Sequence, residues 1–337
     1  MSLVFLPSSS TLRAGPADDD GRPCASLAAA VTANRVAQAR GFLERAGAGR
    51  GALLEQSVDD DGNRVLHLAA GEGGSVAMVT LLLDAGADPA WRDANGGLPL
   101  HDAAAAGNAD IVAQLCRRGP PDLVVAKDGN TGWTPLHHAA SNGHLSVCAL
   151  LVAELRKQRP MAADGGAALA AAIDARDRKG WRPLECAAAN GERAVVDLLL
   201  SAVCGDGEKT AFTETDDGFL ITADPRFSER LNATGAYSRK GDRVSMTCLQ
   251  LAAKAGRTEL CLHLLDDLGA DIGAQETYHP QTAKEVLNEL FGVRRFVRPS
   301  VLPLDVLLVV EAMMPLGYVK WRGLKYVEGP LAPGCRW

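Results

Sequence analysis

Apolar and polar positions along the chain form a short recurring unit, clearest at Thr134-Pro135-Leu136-His137-His138-Ala139-Ala140-Ser141-Asn142-Gly143-His144. Thr134 can cap a helix, and Pro135 suits the first helical position, where no amide partner is needed. Ala139 and Ala140 admit a neighbouring helix at close range, and Gly143 supplies the left-handed residue that ends the helix. Taking Leu136 as anchor, Leu66, Leu100, Leu184 and Leu249 begin the same unit, each followed at +3 and +4 by Ala-Ala and at +7 by Gly. The glycine stops are Gly73, Gly107, Gly143, Gly191 and Gly256.

A second apolar helix follows each stop, as in Val79-Thr80-Leu81-Leu82-Leu83 and Val195-Val196-Asp197-Leu198-Leu199-Leu200. Gly86-Ala87-Asp88 and Gly269-Ala270-Asp271 close two of these units at the same register. A divergent copy begins at Leu27, has Asn34 at the helix stop and Gly47 in the later glycine position, and reads as an N-terminal cap.

The string Thr134-Pro135-Leu136-His137 resembles the helix start of the ankyrin repeat, a unit of about 33 residues. Gly62, Gly96, Gly132 and Gly180 match the turn glycine of that family, and Asp59, Asp93, Asp177 and Asp242 match the aspartate three residues earlier. Glu185 and Gln250 replace the histidine, and Ser245 replaces the turn glycine. The resemblance implies an all-α, ankyrin-repeat α-solenoid of about six helix-turn-helix repeats with β-hairpin finger loops over residues 24–272. It also implies that His67, His101 and His137 hydrogen-bond within and between loops and are not metal ligands. Residues 1–23 form an N-terminal extension.

The anchors are spaced 39, 34, 36, 48 and 65 residues apart, so two connections are long. Residues 156–173 are rich in Ala and Gly and are expected to prolong a helix before looping back. Residues 201–241 contain Thr213 to Thr222, two extended stretches around an Asp-Gly turn, and read as an elaborated finger loop. After Gly273 the net charge changes from about −8 to about +2. Helical stretches at 282–291 and 304–314 and an alternating hairpin at 318–327 make residues 273–337 a small C-terminal α/β capping extension, with partner docking as the alternative.

Aromatics make up 5% of the chain against 47% hydrophobic residues, which suits close packing through Ala and Leu. The net charge of −6 carries no long basic block, so nucleic acid is not an expected partner. Eight cysteines lack zinc-ligand spacing and read as reduced core residues. No catalytic set, cofactor motif or metal site is apparent: Gly205 to Thr210 only superficially resembles a phosphate loop, because Glu208 interrupts it. No stretch is a clean membrane span. The expected setting is cytoplasmic, in a cytoskeletal or ciliary assembly; the acid-free start with Arg13 offers mitochondrial import as the alternative, weakened by Pro7.

The expected function is a non-enzymatic protein-binding scaffold, a subunit of a larger complex. The family's usual contact surface is the finger loops and concave groove, which here gives Asn130, Thr131, Trp133, Ser141 and Asn142, then Arg178, Lys179, Trp181 and Asn190, then Arg243, Met246 and Lys254. Asp60, Asp61, Asn63 and Glu72 stand at the other end, making an acidic-to-basic gradient. Trp133 and Trp181 share one repeat position, and each indole offers roughly 150–250 Å² of contact area, which makes them hot-spot candidates, with packing on their own hairpins as the alternative. A second reading takes Leu287 to Phe291 and Val301-Leu302-Pro303-Leu304 as a loose resemblance to the SOCS box of ubiquitin-ligase adaptors; Phe291 stands at its cysteine position, and Asp305 at its second proline.

Overall fold

The computed structural model describes residues 26–158, 167–204, 210–215, 218–223, 230–233, 235–239 and 242–270. Its helices come in pairs, set by the apolar anchors and stops. They are α1 (Leu27–Thr32) and α2 (Val36–Ala46), followed by a short α3 (Arg50–Glu55). Next come α4 (Val65–Ala70) with α5 (Val76–Asp84), and α6 (Pro99–Ala106) with α7 (Ala109–Arg118). Then follow α8 (Pro135–Ser141) with α9 (Leu145–Gln158), α10 (Ala167–Ile173), and α11 (Pro183–Asn190) with α12 (Arg193–Cys204). The last pair is α13 (Cys248–Lys254) and α14 (Thr258–Leu262), which continues as one π-helical turn, His263–Asp267.

The first helices of the pairs stack in sequence, α1 on α4 on α6 on α8 on α11 on α13, and the second helices form a parallel layer from α2 to α12. The Ala-Ala pairs make the inner stack possible: Ala103, Ala104, Ala139, Ala140, Ala187, Ala188, Ala252 and Ala253 are fully buried. Apolar anchors fill the space between layers, among them Leu100, Leu136, Val112, Leu115, Val147, Leu151 and Leu199. At roughly 25 cal/mol per Å² of apolar area removed from water, this interlayer burial drives assembly.

The stops behave as the pattern predicts. Gly107 has φ of +78°, and a Cβ there would lie 2.6 Å from Nδ1 of His144. His144 occupies that space because its Nε2 reaches the carbonyl of Ala105 at 2.9 Å, bonding one repeat to the one before. In the N-terminal copy Asn34 takes the left-handed conformation itself, with φ of +52°, and its Oδ1 accepts from the Ser75 hydroxyl at 2.7 Å.

Two expectations change. Within 156–173, α9 runs on to Gln158 and residues 167–173 form a helix of their own, favoured by five alanines around Leu169 and Ile173. Within and beyond 201–241, β1 (Thr210–Thr215) pairs antiparallel with β2 (Gly218–Ala223), and β3 (Gly235–Arg239) with β4 (Asp242–Met246). Asp242 is therefore not a turn aspartate: it starts β4, where its backbone pairs with Arg239. Residues 1–23 and 273–337, including the SOCS-like segment, lie outside the described residues, as do 205–209 of the phosphate-loop-like string.

Candidate interaction surface

Four tight turns, the fingers, lead into α4, α6, α8 and α11. Each is closed by a backbone bond: Val58 N to Asn63 O, Asp93 N to Gly97 O, Asp128 N to Trp133 O, and Asp177 N to Trp181 O, all at 2.7–2.9 Å. They are turns rather than paired strands, and an aspartate carboxylate holds each in shape. Asp93 Oδ1 accepts from the amides of Asn95 and Gly97 at 2.8 and 2.6 Å. Asp177 Oδ1 accepts from Lys179 and Trp181, both at 2.8 Å. In the third finger this role falls to Asp128, four residues before Gly132 instead of three. It binds the amides of Asn130, Thr131 and Gly132 and the Thr131 hydroxyl. The extra residue hid Asp128 from a search at fixed spacing. Burial raises its pKa, but the hydrogen bonds from His138, Thr131 and the amides outweigh burial and hold it well below the usual carboxylate range.

Neighbouring fingers are joined through backbone. Ala94 N donates to Asp61 O at 2.8 Å, Gly129 N to Asn95 O at 2.7 Å, and Arg178 N to Thr131 O at 3.0 Å. Side chains reinforce the row: Arg92 Nη1 bonds the carbonyls of Gly96 and Lys127, and Lys127 Nζ bonds the carbonyl of Arg176 at 2.6 Å.

Beneath the fingers lies the histidine row. Nδ1 of His67, His101 and His137 accepts the first amide of its own helix cap at 3.0–3.2 Å, which places the ring proton on Nε2. That Nε2 donates from His101 to the carbonyls of Ala126 and Trp133, and from His137 to the carbonyl of Trp181. Burial pushes their pKa values down, to about 3 for His101 and about 4 for His137. In the fourth unit the pair Thr134/His137 is replaced by Arg182/Glu185, both buried. Arg182 Nε donates to Glu185 Oε1 at 2.8 Å, and its guanidinium also reaches the carbonyl of Arg230 at 3.1 Å. Burial lowers the Arg182 pKa, but Glu185 outweighs it and keeps the guanidinium charged. This exchange was visible in sequence only as a departure from pattern; its consequence, a tie to residues 230–233, was not.

The sequence-selected contact residues separate by exposure. Asn130, Asn142, Arg178, Lys179 and Lys254 are exposed; Thr131, Ser141 and Asn190 are half-buried, with Asn190 Nδ2 bonded to Ser141 Oγ at 2.9 Å. Arg243 lies on β4. Trp181, expected as a hot spot, and Met246, expected as a contact residue, are only 6% and 4% exposed and pack together with Cys186 and Leu251. Trp133 and Ala189 lie half-buried against this cluster. Trp133, Trp181 and Met246 share one repeat position, and Trp133 packs against the buried cluster that contains the other two, so these side chains turn inward. The indole Nε1 of Trp133 donates to Asp177 Oδ2 at 3.0 Å.

Among the described residues no group of three or more His, Cys, Asp or Glu side chains is arranged to hold a metal ion. Cys148, Cys186, Cys248 and Cys261 are buried, and burial pushes the thiols of Cys148, Cys248 and Cys261 up to about 12, which suits core packing. No described helix is long and apolar enough to cross a membrane.

Comparison with known proteins agrees with the stacked pairs. The family described as "Ankyrin repeats" matches residues 27–128, 66–164 and 122–210, and a single "Ankyrin repeat" matches 245–276. A stretch of 66 residues is 44% identical to "Protein fem-1 homolog A" of Danio rerio, covering 20% of this chain and 11% of that protein. The family matches cover more than half of the sequence and coincide with the paired helices: the chain belongs to the ankyrin-repeat family.

Proposed function

We propose that the protein is a non-enzymatic scaffold that holds a partner protein along the finger edge and concave groove between Asn130 and Lys254, as one subunit of a larger intracellular assembly. Ankyrin repeats are protein-binding units, and the reading narrows that general role to one edge. The observation that carries it is the division of labour within the third and fourth fingers. Asp128, Asp177, His137 and Trp181 are committed to internal bonds and packing, whereas Asn130, Arg178 and Lys179, on the same turns, are exposed. A rigid row of turns presents these exposed side chains with little entropy left to lose on binding.

The test is affinity purification of the tagged full chain from cells that express it naturally, against a variant carrying Asn130→Ala, Asn142→Ala, Arg178→Ala and Lys179→Ala. Loss of the recovered partners with unchanged thermal stability supports the proposal; the same partners recovered by both proteins overturn it.

The second reading, a ubiquitin-ligase substrate adaptor acting through residues 273–337, rests on the Leu287 to Leu304 pattern alone. Capture of elongin-type adaptors by the full chain, abolished by substituting Leu287 and Leu302, is its signature. The capping alternative expects folding to fail without that segment and no such capture.

A further inference from the structure

Arginine stands at the helix-cap position of two units, Arg64 before α4 and Arg182 before α11. In the later unit Glu185 meets the Arg182 charge, and Nη2 also takes the peptide carbonyls of Arg230 at 3.1 Å and Ala233 at 3.5 Å. The segment that supplies these carbonyls is seated by Leu231, which is fully buried. Arg64 has no segment of that kind against it among the described residues. Its guanidinium lies flat over Trp91, with Cζ 3.5 Å from the ring centroid, and its Nε is buried without a hydrogen-bond acceptor.

His67 adds a second unmet donor beside it. The side chain is 2% exposed, its Nδ1 accepts the Arg64 amide, and Nε2 therefore carries the proton. His101 and His137 pass that proton to carbonyls of the next finger, those of Trp133 and Trp181. The corresponding carbonyl of Gly97 is close enough to raise the His67 pKa against the larger lowering by burial, yet Nε2 completes no hydrogen bond. Buried donors of this sort favour an acceptor from outside.

Arg64 and His67 line one cleft of about 360 Å³, whose apolar wall is Leu54, Leu66, Ala87 and Trp91. Glu55 and Asp88 also line it, and both are exposed. With one guanidinium against two carboxylates, a bound anion would be repelled, whereas a neutral carbonyl would not. We infer that this cleft docks a short segment of a partner protein, presenting a neutral peptide carbonyl to the Arg64 and His67 N–H groups and an apolar side chain to Leu54, Leu66 and Ala87. It would do at the first repeats what residues 230–233 do at the Arg182 unit. The site lies outside the edge between Asn130 and Lys254 and stands or falls separately from it.

The test is a titration of the isotope-labelled full chain, followed by nuclear magnetic resonance at the arginine Nε–H and histidine Nε2–H signals. Arg64→Lys and His67→Gln identify the two signals by their loss. The probes are N-acetyl-leucine N-methylamide, acetate as a charged acceptor, and isoamyl alcohol as the side chain without a peptide carbonyl. The amide is expected to shift both signals saturably, with acetate and the alcohol binding several-fold more weakly and the His137 signal unmoved. Trp91→Ala should weaken the amide several-fold, and Glu55→Gln should strengthen acetate relative to the amide. The Glu55→Gln comparison leaves the internal bonds of the repeat in place, so it decides the matter even where Arg64→Lys melts lower. No saturable shift, acetate binding as tightly as the amide to the wild-type chain, an equal shift at His137, or an acetate-to-amide ratio indifferent to Glu55→Gln overturns the inference.

Discussion

The Trp133 indole donates to the carboxylate of Asp177 across 3.0 Å, joining the third finger to the fourth through a residue that also shapes the fourth. The largest aromatic on this edge is therefore a structural strut, and its absence should be felt first as lost stability. Trp133→Phe removes one charge-assisted hydrogen bond and should cost ~1–2 kcal/mol; Asp177→Ala removes the acceptor for the indole and for two turn amides and should cost ~2–4 kcal/mol. Urea denaturation of each variant, with the double variant to close the cycle, checks the coupling.

The exchange of Thr134/His137 for Arg182/Glu185 sets up a second comparison. Glu185→Ala strands a buried guanidinium and should cost ~3–5 kcal/mol. Arg182→Thr together with Glu185→His restores the pairing found one unit earlier and should recover most of that loss. It also removes the bond to the Arg230 carbonyl. Residues 230–233 should then become more open to limited proteolysis while the melting temperature of the repeats stays near wild type.

Much of this fold was legible in the sequence because each helix start, Ala-Ala contact and glycine stop is a local demand repeated at a nearly fixed interval. Asn34 and Gly107 take left-handed backbone where the spacing put a stop, and His101 and His137 bond forward as expected, whereas Nε2 of His67 meets no partner among the described residues. What escaped depends on contacts distant in sequence. Trp181 and Met246 were placed correctly in register, but whether a side chain at that position faces solvent is decided by Cys186 and Leu251 beneath it. Asp128 was missed because one inserted residue shifts it, while Asp242, correctly spaced, lies in a strand, its backbone paired with Arg239. Spacing identifies a position in the repeat, and the neighbouring repeat determines what that position does.

Acid and base should loosen different parts of the molecule. His101 and His137 have folded pKa values lowered to about 3 and about 4 from 6.5, so they contribute stability above pH 6.5 that is lost as pH falls toward those values. His263 behaves oppositely. Burial lowers its pKa, but the bonds to Asp197 at 2.9 Å and Asp267 at 2.6 Å outweigh burial and raise it, against a smaller opposing effect of Arg193. Its stabilisation is present below pH 6.5 and is lost as pH rises through its folded value. Melting temperatures across this range should show His137→Gln flattening the acid limb, since Gln250 already fills that position, and His263→Gln destabilising more at about pH 5 than at about pH 8.

Asp102 provides a substitution that should stabilise. Burial, and then the nearby Asp93 and Asp59, raise its pKa from 3.8 to about 8. Stability tied to its protonated form is complete below pH 3.8 and declines as pH rises to about 8. Asp102→Asn should raise stability by ~1–3 kcal/mol near neutrality, with the gain vanishing in acid. Paired denaturation curves at both pH values check the sign.

The central claim is that a partner is held by the exposed third and fourth fingers and not by the helices behind them. Hydrogen-exchange protection of the full chain, alone and with a partner recovered by affinity purification, tests it most directly. Added protection across residues 128–131, 141–142 and 176–180, with α5, α7 and α12 unchanged, is the expected result. Protection confined to those outer helices, with the fingers exchanging as fast as in the free chain, would contradict it.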